Sequence, residues 1–182
     1  MKKIPTIFKR NFETHLVINE MVPGTEWVLS EGIATRKWDG ACCAVIDDCK
    51  YKRYDLKSGK KIPVDFVPTG DFDPITKRCP GWVPITDGPE DKWFRAAFAE
   101  YEKEHNLYND TYEAIGPHFN NNPENVLLDT LVPHGIHMLL PPRDFEGLKE
   151  YLRNKDIEGI VFWHPDGMKA KIKKKDFGFK RK

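Results

Sequence analysis

The apolar runs of this chain are of strand length, and several are separated by no more than a turn. Ala41–Ile46 is followed, across Asp47-Asp48, by a second strand candidate at 51–54, Tyr-Lys-Arg-Tyr. Likewise 159–163 and 168–172 are joined across Pro165-Asp166-Gly167. Parallel neighbours need a crossover of roughly a dozen residues or more, so these pairs are predicted to be antiparallel. Asp-Gly between apolar runs is in addition a strong hairpin signal. Two segments have helical spacing instead. In 91–104, Trp93, Phe94, Ala97, Phe98 and Tyr101 share a face behind Pro89, and in 144–154 Phe145, Leu148 and Leu152 do so. The expectation is an α+β fold with mainly antiparallel sheet.

The remaining segments give weaker signals. The first ~20 residues read as a short strand or arm before a turn at Pro23-Gly24, and 27–29 and 32–35 as short strands. The stretch 59–88 is rich in proline, glycine and aspartate. It reads as a long surface excursion with little regular structure, in which Trp82 is an anchor. Thr111–Ile115 is a strand ended by Gly116-Pro117, and 120–123 is a loop. The length of 182 residues fits one domain spanning 1–182.

The net charge of +1 excludes a wholesale basic protein, but the charge is uneven. The segment 169–182 holds eight basic residues against a single acid, Asp176. Such a basic tail is either a solvated end or a strip for phosphate. The four cysteines form no C-x-x-C pair, and Cys42-Cys43 in an apolar run looks like core packing. That favours a reducing, intracellular compartment. No stretch has signal-peptide or membrane-spanning character, so a soluble protein without a membrane partner, and a monomer, is expected.

Lys37-Trp38-Asp39-Gly40 is by itself a common four-residue pattern. It gains weight from its companions. Glu158 stands at the mouth of an apolar strand, and Glu113 lies inside another. Arg53 is on the strand that should pair with the one after Lys37. Lys169 and Lys171 alternate with apolar residues, which turns them to one face of the sheet. Transfer of AMP from ATP to a lysine asks for such a set. The amine must lose its proton, which nearby cations and desolvation favour. Charge building on the α-phosphate needs cations such as Lys171, Lys169 and Arg53. Carboxylates such as Glu113 and Glu158 suit Mg²⁺ or Mn²⁺.

The order K-x-D-G, strand arginine, strand glutamate, Glu158-Gly159-Ile160-Val161-Phe162 and K-x-K resembles motifs I, Ia, III, IV and V of the covalent nucleotidyltransferase superfamily. That superfamily contains DNA ligases, RNA ligases and mRNA capping guanylyltransferases. The chain is most similar to the ATP-dependent 5′-to-3′ RNA ligases described in vertebrates, which have viral and microbial relatives. The likeness extends to Ala34-Thr35, Arg53-Tyr54-Asp55, Gly81-Trp82-Val83-Pro84, Asn120 with Asn122-Pro123, and Val132-Pro133-His134-Gly135. It covers about residues 34 to 172.

The resemblance implies an adenylation domain, and a single one without the OB-fold of DNA ligases and capping enzymes is expected, because only ten residues follow Ile172. Its substrates would be ATP and RNA with 5′-phosphate and 3′-hydroxyl ends. Lys37 would carry AMP, Asp39 would contact the ribose or a metal-bound water, and Lys171 would contact the α-phosphate. Thr35 and Arg36 would offer backbone groups to adenine. Ile160 and Lys169 would line the nucleotide, with Arg53 at the ribose and the RNA end. Glu113 and Glu158 would organise the metal. Where Lys169 stands a member of that family has an apolar residue, so Lys171 is the stronger match. Two other readings remain beside this one. The first is a different member of the superfamily, a capping guanylyltransferase or DNA ligase, against which the absence of further sequence after motif V speaks. The second is a non-catalytic RNA-binding module that uses the basic tail. His134, between proline and glycine, reads as a structural histidine, and His164 with Trp163 as packing or an adenine sandwich.

Overall fold

The structure, a computed structural model, describes residues 3–181. It is an α+β fold whose named strands all pair antiparallel. The chain forms two compact units. One is built on Ile4–Trp38 and the chain from Gly135 onward, the other on Asp39–His134 with Lys3. From Ile4 the backbone runs through the first unit, crosses to the second after Trp38, and returns after His134.

The first unit begins with strands β1 (Phe8–Arg10) and β2 (Val17–Met21), which pair with each other, and continues with β3 (Ile33–Lys37). The segment expected to be a strand at 27–29 is a 3-10 helix, Glu26–Leu29. Only Val28 of that triplet needs burial. The Thr25 hydroxyl donates to Ile7 O and Val22 O, which holds the chain in a turn rather than an extended run.

The second unit contains β4 (Ala41–Ile46), β5 (Cys49–Lys57), β6 (Val67–Pro68), β7 (Arg78–Pro84), helix α1 (Lys92–Glu102), β8 (Thr111–Ile115) and β9 (Thr130–Pro133). Its sheet order is β6-β7-β5-β4-β8-β9. The inner face buries Cys43, Val45, Tyr112, Ala114 and Leu131 against Ala97 and Phe98 of α1. The 59–88 stretch is more regular than its composition suggests, because β7 pairs along β5 from Lys57↔Arg78 to Tyr51↔Pro84. Pro80 is tolerated there. Its carbonyl accepts from Thr69 N–H on the side away from β5, so its missing donor removes no β5 hydrogen bond. Trp82, 2 % exposed, is a strand residue rather than a loop anchor.

Back in the first unit, β10 (Met138–Leu139), helix α2 (Phe145–Asn154), β11 (Gly159–Trp163) and β12 (Lys169–Lys173) complete a sheet of order β10-β3-β11-β12. The Asp144 carboxylate caps α2 by accepting from Gly147 N–H at 2.9 Å. Leu148 and Leu152 of the helix pack on Ala34, Ile160, Phe162, Ala170 and Ile172. The end of the chain departs from the expected solvated tail. A 3-10 helix, Lys174–Phe177, follows β12, and Lys174, Asp176 and Phe177 are buried. Arg10 donates to the Asp176 carboxylate at 2.7 Å, and Lys174 Nζ to Lys155 O at 2.8 Å. Lys182, which belongs to the expected basic strip, lies outside the described residues. No helix among the described residues is long and apolar enough to cross a membrane.

Candidate functional site

In the first unit, register assembles a row of side chains on the sheet face opposite the core. Thr35 pairs with Val161 and Lys37 with Gly159 across β3 and β11. Val161 pairs with Lys171, Trp163 with Lys169 and Gly159 with Lys173 across β11 and β12. Because strand side chains alternate, Ala34, Ile160, Phe162, Ala170 and Ile172 go to the core, and the lysines go the other way. Lys169 and Lys171 therefore share a face as expected, and Lys173 is a third member that the K-x-K pattern alone does not reveal. Gly159 is required at its position, since a Cβ there would run into Ile172 O.

Lys37 and Lys173 both donate to the Glu158 carboxylate, one to each oxygen. Glu158 is mostly buried. Burial alone would raise its pKa, but Lys37 and Lys173 reverse that and hold it below the usual carboxylate range. The expected metal ligand is thus the counter-ion of two ammonium groups here, a poor place for a further cation. Lys171 has the opposite shift. Burial first, then the like charges of Lys173 and Lys37, push its pKa down to about 8 against the pull of Glu158 and Asp176. Such a cation is under-compensated, and an anion would relieve it.

Other expected nucleotide contacts are redistributed. The backbone of Thr35 lies mid-sheet between Val161 and Met138, and Arg36 N–H donates to His137 O. The Arg36 N–H is thus engaged in the sheet. The Thr35 hydroxyl instead accepts from Trp163 Nε1 at 2.7 Å. Lys169 Nζ sits 4.0 Å from the Trp163 ring centroid, and the Arg36 guanidinium lies over Trp38. Ile160 is fully buried in the core, which leaves only its backbone for a ligand. His164 bonds to Glu31 at 2.8 Å and packs edge-on to Trp27, which favours packing over the adenine sandwich.

The second unit carries Asp39, Gly40, Arg53 and Glu113. A Cβ at Gly40 would collide with Ala114 O, so K-x-D-G needs glycine where β4 begins against β8. The Asp39 carboxylate accepts from Asn120 Nδ2 at 3.1 Å, and its N–H donates to Glu124 at 2.9 Å. Arg53 donates to Asp55 at 3.1 Å and lies 5.8 Å from the Trp82 ring centroid. Glu113, 7 % exposed, accepts from Gly40 N–H at 3.1 Å and contacts His134 Nε2 at 3.0 Å.

Neither protein-family models nor curated proteins match this chain.

Three participants are not evident from sequence reasoning. His134 reads as structural by its neighbours, yet it is the partner of Glu113, and Thr111 Oγ1 lies 3.0 Å from its other nitrogen. Cys42 reads as core together with Cys43. Alternation sends only Cys43 inward, and Cys42 lies opposite Glu113 in the ladder. Lys173 follows from extending the alternation of Lys169 and Lys171 by one more step.

Proposed function

We propose that this chain is an ATP-dependent RNA ligase that works through a lysyl-AMP intermediate. The observation that carries the reading is the cluster of Lys37, Glu158, Lys171 and Lys173 at one end of the β3-β11-β12 face. It combines a lysine held in place by a carboxylate with two more cations, one of them under-compensated. Charges as little exposed as these need a partner or an ion. The motif order from Lys37 to Lys171 supports the same reading.

In the first step Lys37 Nζ forms a bond to the α-phosphorus of ATP, and the bond from that phosphorus to the pyrophosphate oxygen breaks. The ammonium first loses a proton to solvent, which frees its lone pair, the attacking nitrogen loses a second to solvent as the P–N bond forms, and pyrophosphate leaves with the electron pair. Lys171 and Lys173 stabilise the charge that develops on the phosphate oxygens. Glu158 orients Lys37 and releases it as the triphosphate becomes its new counter-ion. Thr35 and Trp163, on the same face of the first unit, serve the base through side chains rather than backbone.

Glu158 is already neutralised by Lys37 and Lys173, so Mg²⁺ or Mn²⁺ would be held by the nucleotide's own phosphates and would neutralise part of their charge. AMP then passes to an RNA 5′-phosphate, and attack by a 3′-hydroxyl expels it and seals the strand.

The test is intact mass after separate incubation with ATP and GTP in the presence of Mg²⁺, followed by joining of a 5′-phosphorylated RNA. An AMP adduct with ATP and not GTP is expected. No covalent nucleotide would sink the reading. A GMP adduct would move the chain to guanylyl transfer, and an adduct without joining would leave adenylylation but remove the RNA ligase assignment.

A further inference from the structure

The second unit carries a group of side chains whose chemistry differs from that of a Mg²⁺ site. The ligand atoms of Cys42, Glu113 and His134 all lie within 4.8 Å of one another. They come from β4, β8 and the end of β9, three adjacent strands of one sheet. Cys42 pairs with Glu113, and Glu113 with Val132. His134 follows β9 and is fixed to the same sheet by its backbone N–H, which donates to Thr111 O at 3.1 Å. The scaffold is thus regular strand rather than mobile loop.

Two of the prospective ligands are also oriented by a partner that does not itself bind. Gly40 N–H holds Glu113 Oε1 at 3.1 Å and leaves Oε2 towards His134. Thr111 Oγ1 lies 3.0 Å from His134 Nδ1. When that nitrogen carries the proton and donates to Thr111, the Nε2 lone pair faces Cys42 and Glu113. Metal-bound histidines are held in this way by an outer partner. A thiolate and an imidazole select Zn²⁺ over Mg²⁺, which prefers an all-oxygen shell. Zinc bonds of about 2.0–2.3 Å to N, O and S need only a modest contraction of the present spacing.

We propose that Cys42, Glu113 and His134 form a site for a thiolate-preferring divalent ion such as Zn²⁺, with three protein ligands and an open fourth position. The adjacent Cys43 cannot substitute for Cys42, because it faces the core and its thiol is pushed well up by burial. The proposal does not rest on nucleotidyl transfer. Its failure would leave that reading untouched, and the reverse holds as well.

The test titrates Co²⁺ into the chelator-treated full chain and follows the thiolate-to-cobalt charge-transfer absorption, then displaces the metal with Zn²⁺. A saturable band that Zn²⁺ abolishes is expected. Cys42→Ser should lose the band, and Cys49→Ser, at an exposed thiol, should keep it. Thr111→Val should weaken Co²⁺ binding by about 10–100-fold, the usual cost of an outer-shell partner, and His134→Ala by more. A measurement that needs no variant runs alongside: Zn²⁺ should protect Cys42 from alkylation while Cys49 stays reactive. The absence of a charge-transfer band in the folded wild type would overturn the proposal. So would a band that survives Cys42→Ser, or alkylation of Cys42 at the same rate with and without Zn²⁺.

Discussion

In the β3-β11-β12 sheet, the face away from the core carries Lys37, Lys169, Lys171 and Lys173, with Glu158 as the carboxylate bound to two of them. In the β4-β8-β9 sheet, the corresponding side carries Cys42 and Glu113, with His134 at the strand end. Both sheets follow the same rule, one apolar face and one polar face set by period-two alternation. They differ in what the polar row contains. A cationic row with a single buried counter-charge is suited to an anion. A carboxylate, imidazole and thiol row is suited to a cation. Alternation decides which side chains meet, and the residue types decide which ligand they can hold.

The largest effect should come from removing the proposed nucleophile from the cationic face. Lys37→Ala is expected to abolish the AMP adduct while leaving the fold intact by circular dichroism. Lys37→Arg should fail as well, because guanidinium stays protonated and cannot attack. An adduct retained by either variant, seen by intact mass, would erase the distinction between the two faces in their assigned roles.

Next in size is the loss of the counter-ion. Glu158→Gln leaves Lys37 and Lys173 without their shared carboxylate. Breaking one side of a buried pair costs about 3–5 kcal/mol, and the lower end applies here because both ammonium groups keep some solvent. Urea melts should show this loss, and inorganic phosphate should recover more stability in the variant than in the wild type. Equal phosphate effects in both proteins would mean that this face is no anion site.

A smaller effect is expected at Lys171, whose pKa is pushed down to about 8. Between about pH 8 and 10.5 the unfolded chain binds the proton that the folded chain has lost. Stability therefore rises with pH across that window, and below it the folded state bears the full cost of a buried charge. Lys171→Met should stabilise the ligand-free protein by about 1–2 kcal/mol at neutral pH. It should also flatten the rise between about pH 8 and 10.5 in thermal melts. An unchanged pH slope in the variant would assign the rise to another group. ATP should also lose affinity, which separates a binding cation from a passive one.

The elements that are legible in the sequence are those whose signal is local. Ala41–Ile46, Thr111–Ile115, both helices and the 159–172 hairpin follow from spacing and turn residues, and so does the shared face of Lys169 and Lys171. What escapes depends on partners far along the chain. β7 exists because β5 offers it a ladder, although its own composition argues for a loop. Glu158 looks like a metal ligand until Lys37 and Lys173 are placed on its two oxygens. His134 has no periodic signal, since β9 is short and ends in proline. The buried charges Lys174 and Asp176 look like tail because their partners, Lys155 O and Arg10, cannot be read from neighbouring residues.

Burial of Lys174 and Asp176 changes how the basic end can be tested. Cutting the chain after Ile172 would remove Lys173 from the cationic face and Phe177 from the core, so a failure to join RNA would report damage rather than RNA contact. Among the described residues after Lys173, Lys175 and Lys180 are exposed, and Arg181 is engaged with Asp156. Charge reversal at Lys175 and Lys180 leaves the packed groups in place. If these lysines touch RNA phosphates, the double variant should form AMP adduct at the wild-type rate and bind single-stranded RNA more weakly. The slope of log affinity against log salt should be shallower by about 0.7 for each phosphate that is no longer neutralised. Sequence preference should not change, because phosphate contacts carry none. An unaltered salt slope would confine RNA binding to other parts of the molecule and make this end, beyond its buried residues, a solvated surface.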